Sequence, residues 1–277
     1  MKPGWSTNSI GCDPLEAIGP LAAMGYRSLA ITPDLHLLDP SAPNHAGEVT
    51  RWREALARHG MACVIETGGR YLLDPCRKHE PTLLSSDAAG RGRRVAFLLA
   101  AIDLAAELAA GCVSLWSGVV HDAADEETLL ARLAAGLDPV LEHAARRGVV
   151  LGFEPEPGMF IDTLDRCSRL FDRLGRPADL GVTIDIGHLE CLGERPLPQR
   201  IAAAGRIVNV HLDDMLCCRH EHLPLGLGEI DFPPVITALA QAGYRGGLHA
   251  ELPRHAHRWH TTARETADFL ARLLPAG

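Results

Sequence analysis

The chain has 277 residues, 47% of them hydrophobic and 22% charged, with a formal net charge of −8. That length suits one (β/α)8 barrel of about 250 residues, and the composition is that of a globular protein, which excludes a disordered chain. The acidic balance argues against nucleic acid as the main partner. The nearest approaches to a basic run, Arg91-Gly92-Arg93-Arg94 and Arg146-Arg147, read as solvated helix faces.

Short apolar or β-branched runs at residues 3–10, 27–32, 62–67, 112–116, 149–154, 181–186, 207–212 and 247–252 predict strands. Amphipathic stretches at 14–24, 47–59, 91–110, 126–147, 163–174, 197–204, 232–242 and 261–274 predict the helices between them. Strands alternating with helices pack as parallel βαβ units. Eight such units predict an α/β fold, a single (β/α)8 TIM barrel domain over residues 1–277. An open doubly wound sheet would carry a Gly-rich turn after its first strand, and none is present. Gly25, Gly60, Gly111, Gly148 and Gly243 stand where helices end, as C-caps in the left-handed conformation. The longest irregular piece, 68–90, has the length of an active-site loop. The most apolar stretch, 95–116, is broken by Asp103 and Glu107, so no membrane span is expected. Eight cysteines without a Cys-x-x-Cys pair, and no leader pattern in residues 1–12, predict a reducing, cytoplasmic setting.

Active sites of such barrels lie at the C-terminal ends of the strands. Four consecutive strands each bring one carboxylate or imidazole to that end: Glu154, Asp185, His211 and Glu251. Taken singly, each has an ordinary structural explanation: Asp185 as a cap before Gly187, His211 as a satisfied core histidine, Glu154 paired to an arginine, Glu251 as a rim charge. Taken together they are four buried polar groups in register, and burying such charges is costly unless they share a cation or a paired network. Three carboxylates and one imidazole suit Mn2+, Mg2+ or Co2+, with Zn2+ also compatible.

The stretches Gly-Phe-Glu-Pro at 152–155, Ile-Asp-Ile-Gly-His at 184–188, His-Leu-Asp-Asp at 211–214, His-Leu-Pro-Leu-Gly-Leu-Gly-Glu-Ile-Asp-Phe at 222–232 and Ala-Glu-Leu at 250–252 resemble the xylose isomerase-like barrel superfamily. That group includes sugar isomerases, ketose 3-epimerases, inosose dehydratases, hydroxypyruvate isomerases and the endonuclease IV branch. The resemblance implies one metal ion held by Glu154, Asp185, His211 and Glu251, with His188 touching substrate and Arg219 as the nearest candidate for a substrate-binding arginine. It implies a sugar, cyclitol or hydroxy-ketone isomerase or epimerase, in which Glu154 and Glu251 move protons through a metal-stabilised enediolate. A dehydratase or lyase shares the proton abstraction. An endonuclease IV-like zinc phosphodiesterase needs further His ligands, which the ends of strands two and three lack. A non-catalytic metabolite-binding barrel would be expected to lose ligands.

Further expectations rest on position. Glu66 and Trp116 end strands three and four and could face a polyol substrate, Trp116 as an aromatic wall. His222 lies in the loop after strand seven, as a substrate contact or behind a ligand, with His220 beside it. His249 shares the face of Glu251 by strand alternation. Arg254, His255 and the run Arg77-Lys78-His79 could meet an anionic or hydroxyl group. A homodimer is the commonest assembly for such a chain.

Overall fold

A computed structural model describes residues 1–274; residues 275–277 of the expected domain lie outside the described residues. Its strands in chain order are β1 (Lys2–Ser6), β2 (Ser28–Ile31), β3 (Ala62–Glu66), β4 (Val113–Leu115), β5 (Leu151–Phe153), β6 (Leu180–Asp185), β7 (Ile207–Leu212), β8 (Asp214–Leu216), β9 (Arg219–Leu223) and β10 (Gly247–Ala250). All except β8 and β9 close into one parallel barrel, ordered β1-β10-β7-β6-β5-β4-β3-β2. The helices are α1 (Pro14–Ala23), α2 (His45–His59), α3 (Ala88–Leu108), α4 (Glu126–Arg147), α5 (Leu164–Arg173), α6 (Ile186–Cys191), α7 (Leu197–Ala203), α8 (Phe232–Gln241) and α9 (Trp259–Leu273). The fold is therefore the expected (β/α)8 barrel. No described helix is long and apolar enough to cross a membrane.

Local chemistry sets the helix ends. Asp13, Asp87, Asp125 and Thr163 cap α1, α3, α4 and α5 by accepting backbone N–H groups of the first turn. Gly60 and Gly148 close α2 and α4 in the left-handed conformation, as expected. Gly111 does not do this for α3: Ala109 takes the left-handed cap at φ 51, and Gly111 already leads into β4. Replacing Asp87 by Ala removes bonds to Ala89 N and Gly90 N. It is expected to cost about 1 kcal/mol, read as a lower urea midpoint at unchanged slope.

Period-two alternation sorts the side chains of each strand. One set faces the helices and builds the main core, with Trp5, Leu29, Ile65, Leu115, Phe153, Ile184, Val210 and Leu248 all buried. The other set fills the barrel in layers. Ala30, Val64 and Cys112 form a small apolar plug, joined by Val150 and Val208. Small or polar residues fill the rest of the interior, including Ser28, Ser114, Thr183 and His249, all buried. The bulky His249 fits because two facing residues lack side chains: a Cβ on Gly4 would lie 2.5 Å from His249 Cδ2, and one on Gly247 would also collide with the ring. At or just past the strand ends, Glu66, Trp116, Glu154, His211 and Glu251 reach the open end, where the site lies.

Two elements had no counterpart in the predicted pattern. Helix α6 follows β6 with no loop, and the β8–β9 hairpin follows β7 after one residue. Both are too short to show a period, and both carry polar residues to the mouth of the barrel.

Candidate metal centre

The C-terminal mouth of the barrel opens into a cavity of about 510 Å3, within the range of small-molecule sites. Glu66, Trp116, Glu154, His188, His211, His222 and Glu251 all line it. Asp185 does not line it but is fully buried just beneath, its Oδ2 3.9 Å from His211 Nδ1 and 3.7 Å from His188 Nε2 with no hydrogen-bond partner. Arg219 is not among the lining residues. It stands exposed on β9 and turns toward Glu221, 3.9 Å away, so the structure does not bring it to the substrate cavity. The hairpin turn just before it points the start of β9 outward; further along, His220 packs on His188 and His222 returns to the mouth.

His211 is the hub. Its Nδ1 lies 3.1 Å from Glu154 Oε1, 3.1 Å from Glu251 Oε2 and 3.9 Å from Asp185 Oδ2. Candidate ligand atoms of Asp185, His211 and Glu251 lie within 4.8 Å of one another, as do those of Glu154, Asp185 and His188. The other ring nitrogen, Nε2, donates to Glu66 Oε1 at 2.8 Å. Asn209 Nδ2 donates to the same oxygen at 2.8 Å, and Asn209 Oδ1 accepts from His249 Nδ1 at 2.9 Å. Ser28 Oγ completes the chain, 2.8 Å from His249 Nε2. Each member is buried and partnered, so the ring of His211 is held with Nδ1 toward the three carboxylates. A carboxylate behind a ligating imidazole is the arrangement that fixes tautomer and orientation at metal centres.

The electrostatics fit a divalent cation. Burial, joined by the charges of Glu251 and Glu66, pushes Glu154 up to about 7 against the pull of His211. Burial opposes a charged imidazole at His211, but Glu66, Glu154 and Glu251 outweigh it and hold the ring well above its ordinary range. Burial also works against ionised Asp185, yet His188, His222 and His211 bring it down to about 2. The floor thus gathers negative charge and holds protons to offset it. A divalent ion among these oxygens would take over that role and release the protons. The unpartnered Asp185 Oδ2 is a free acceptor in the same place. Asp185 also caps α6 by accepting His188 N through Oδ1 at 3.0 Å, so the capping role and an open oxygen coexist.

Glu66 is better described as the support of His211 than as a substrate contact. Glu66→Gln exchanges a charged acceptor for a neutral amide and is expected to weaken metal affinity about 10- to 100-fold. Competition titration against a chromogenic chelator reads it; unchanged affinity would show that His211 needs no such support.

Around this floor, His188 Nε2 lies 3.1 Å from His220 Nε2. His222 Nδ1 meets Asp213, a fully buried carboxylate. Trp116 stands at the wall with His79 edge-on, ring centroids 5.6 Å apart. Lys78 and His79 line the cavity, whereas Arg77 pairs outward with Asp74 at 2.9 Å. Arg254 is exposed and donates to His220 O, and His121 lies outside the cavity, 2.9 Å from Glu80.

Four residues of the site escaped the sequence reading. Asn209 precedes His211 by two, so alternation alone puts it on the inward face. Asn8 donates to Glu251 Oε1 from just beyond β1, which ends at Ser6 and not at residue 10 as the sequence predicts, so Asn8 sits in a short turn. Glu156 lines the cavity two residues after Glu154, and burial raises its carboxyl well above the ordinary range. Arg94 was placed on a solvated helix face, but it is buried. Its guanidinium donates to the carbonyls of Thr67, His79 and Pro81 at 3.2, 2.6 and 2.8 Å and lies over the Trp116 ring at 4.8 Å. Those carbonyls belong to or border the irregular segment 67–87, which ends where α3 starts, a few residues earlier than expected.

The sequence model of the xylose isomerase-like TIM barrel family matches residues 18–273. The chain belongs to that family. Among curated relatives, it is 30% identical over 159 residues to the rhizopine catabolism protein MocC of Rhizobium meliloti, covering 50% of this chain and 48% of MocC. The match thus spans about half of MocC. It is 26% identical over 208 residues to SgbU of Escherichia coli K12, provisionally named an L-ribulose-5-phosphate 3-epimerase, covering 73% of this chain and 72% of SgbU. The fold superposes on D-allulose 3-epimerase from Methylomonas sp. with a TM-score of 0.78 at 19% identity, covering 99% of this chain and 97% of that one. At that identity the likeness is one of fold.

Proposed function

We propose that this protein is a divalent-metal-dependent isomerase or epimerase acting on a sugar, cyclitol or related hydroxy-ketone. The observation that carries the reading is the placement of Glu154 and Glu251, each 3.1 Å from the same nitrogen of His211, above an acidic floor with an unpartnered Asp185 oxygen. Family membership supports it, as do the epimerase names of SgbU and of the D-allulose enzyme.

In this reading Glu154, Asp185, His211 and Glu251 hold the ion. When bound, a divalent ion supplies Lewis-acid polarisation of a substrate carbonyl. Glu154, whose burial favours the protonated form, and Glu251, held by Asn8, form an acid/base pair with unequal environments. One takes the proton from the carbon beside the carbonyl; the other returns one to the opposite face or to the neighbouring carbon. His188 and Glu156 face the same space and are placed to orient hydroxyl groups, while Trp116 walls one side.

The test is a screen of ketoses, ketose phosphates and inososes with manganese, magnesium, cobalt or zinc in D2O, followed by NMR. Solvent deuterium at the carbon beside the carbonyl, with an epimer or isomer as product, is the expected outcome. Deuterium uptake with loss of water would assign a dehydratase. No exchange on any member would contradict the reading.

A further inference from the structure

Helix α6 and strand β9, which bring His188 and His222 to the cavity and His220 against His188, meet at a pair of adjacent thiols. Leu216 pairs with Arg219 across the β8–β9 hairpin, which leaves Cys217 and Cys218 as its two turn residues. Both are exposed, and their Sγ atoms lie 3.3 Å apart. Cys218 holds the left-handed conformation at φ 65, a turn position that Gly or Asn would fill with less strain. Its N–H donates to the carbonyl of Cys191, the last residue of α6, at 3.0 Å. Exposed cysteine at a turn that disfavours it is not explained by packing or by the reaction proposed above.

We propose that Cys217 and Cys218 are a reversible oxidation site that takes hydrogen peroxide as its co-substrate and closes to a vicinal disulfide. One sulfur attacks the peroxide, the O–O bond breaks, and a sulfenic acid and one water form. The second sulfur attacks the sulfenic sulfur, the S–S bond forms and a second water leaves. The two thiols lose two protons and two electrons, and the peroxide is reduced to two waters. Neighbouring Cα atoms are only about 3.8 Å apart across a trans peptide, below the usual disulfide span of about 4.4–6.8 Å. The product is therefore strained and readily opened by a dithiol, which makes it a reversible mark and not a structural staple. Closing the ring draws the sulfurs together and reshapes the turn from which β9 departs. β9 carries His220, 3.1 Å from His188, and His222, which lines the cavity. The mark thus reaches the site through strand position and not through the metal ligands.

The experiment treats the reduced full chain with hydrogen peroxide, blocks free thiols with N-ethylmaleimide and maps the peptides by mass spectrometry. The peptide holding both residues is expected to lose two hydrogens, take up no maleimide and regain both labels after dithiothreitol. Exposed Cys12 and Cys76, which have no sulfur partner among the described residues, are expected to give no internal disulfide. Cys217→Ser is expected to stop at a sulfenic acid on Cys218. Backbone amide exchange at residues 219–223 is expected to quicken in the oxidised wild type and stay unchanged in peroxide-treated Cys217→Ser. Maleimide on both sulfurs after Cys12 and Cys76 have oxidised, or separate sulfinic acids, would overturn the site. Unchanged exchange in the disulfide form would overturn its reach into the cavity. Neither readout depends on the catalytic reading being right.

Discussion

Glu154→Gln and Glu251→Gln are each expected to lower turnover about a thousandfold on the substrate identified by the deuterium screen. Each substitution keeps the shape of the side chain and removes its ability to take or return a proton. The two differ in what surrounds them. Glu154 is buried at the cavity wall, with its Oε1 3.1 Å from His211 Nδ1. Glu251 is less buried and is tied on its other oxygen to Asn8. If one removes the proton and the other returns it, one variant retains slow deuterium exchange without product and the other loses exchange altogether. Equal, mild losses in both variants, within about tenfold, would mean that the carboxylates act as ligands only.

Arg94→Met is expected to destabilise the fold by about 3 kcal/mol. The methionine fills much of the same volume, but it leaves the carbonyls of Thr67, His79 and Pro81 buried without a donor. Burial lowers the guanidinium of Arg94 to about 10, partly offset by Glu80, so the group is still charged at neutral pH and its bonds are charge-assisted. Because Arg94 also lies over Trp116, the substitution frees both the 67–87 segment and the wall it leans on. The activity consequence expected under the proposed function is a higher KM with a smaller change in kcat, since Glu154 and Glu251, the proposed acid/base pair, stand just past β5 and β10. Urea unfolding reads the stability, and limited proteolysis within 67–87 reads the loosened segment. A loss below about 0.5 kcal/mol would show that the carbonyls find water instead.

The fold was legible because the barrel strands are apolar runs separated by amphipathic helices, several of which carry their own cap or stop. Residues 207–212 and 126–147 have the predicted bounds in the structure, since a strand that enters from a turn and a helix between Asp125 and Gly148 are fixed by local chemistry. The four candidate ligands were legible because a charge interrupting an apolar run is conspicuous. What failed was of two kinds. Short elements such as α6 and the β8–β9 hairpin hold no full period, so Arg219 could be placed near the substrate by counting residues when the turn in fact sends it outward. Long-range partners leave no local trace: nothing in the sequence around Arg94 says that it donates to carbonyls of a segment preceding its own helix. Glu66 shows a third case. Its place at the end of strand three suggests the cavity, which it does line, but its partner, His211, comes from β7 and is not visible from its own strand.

The most direct test of the central claim is the metal content of protein purified without chelator, measured beside Asp185→Asn. The account predicts about one equivalent of manganese, magnesium, cobalt or zinc per chain, lost or weakened in the variant. Two or three zinc ions per chain would point to a cluster that includes His188, His220 and His222, whose nitrogens lie within 4.8 Å of one another, and would favour phosphodiester chemistry. No ion after reconstitution with each candidate metal would contradict the account.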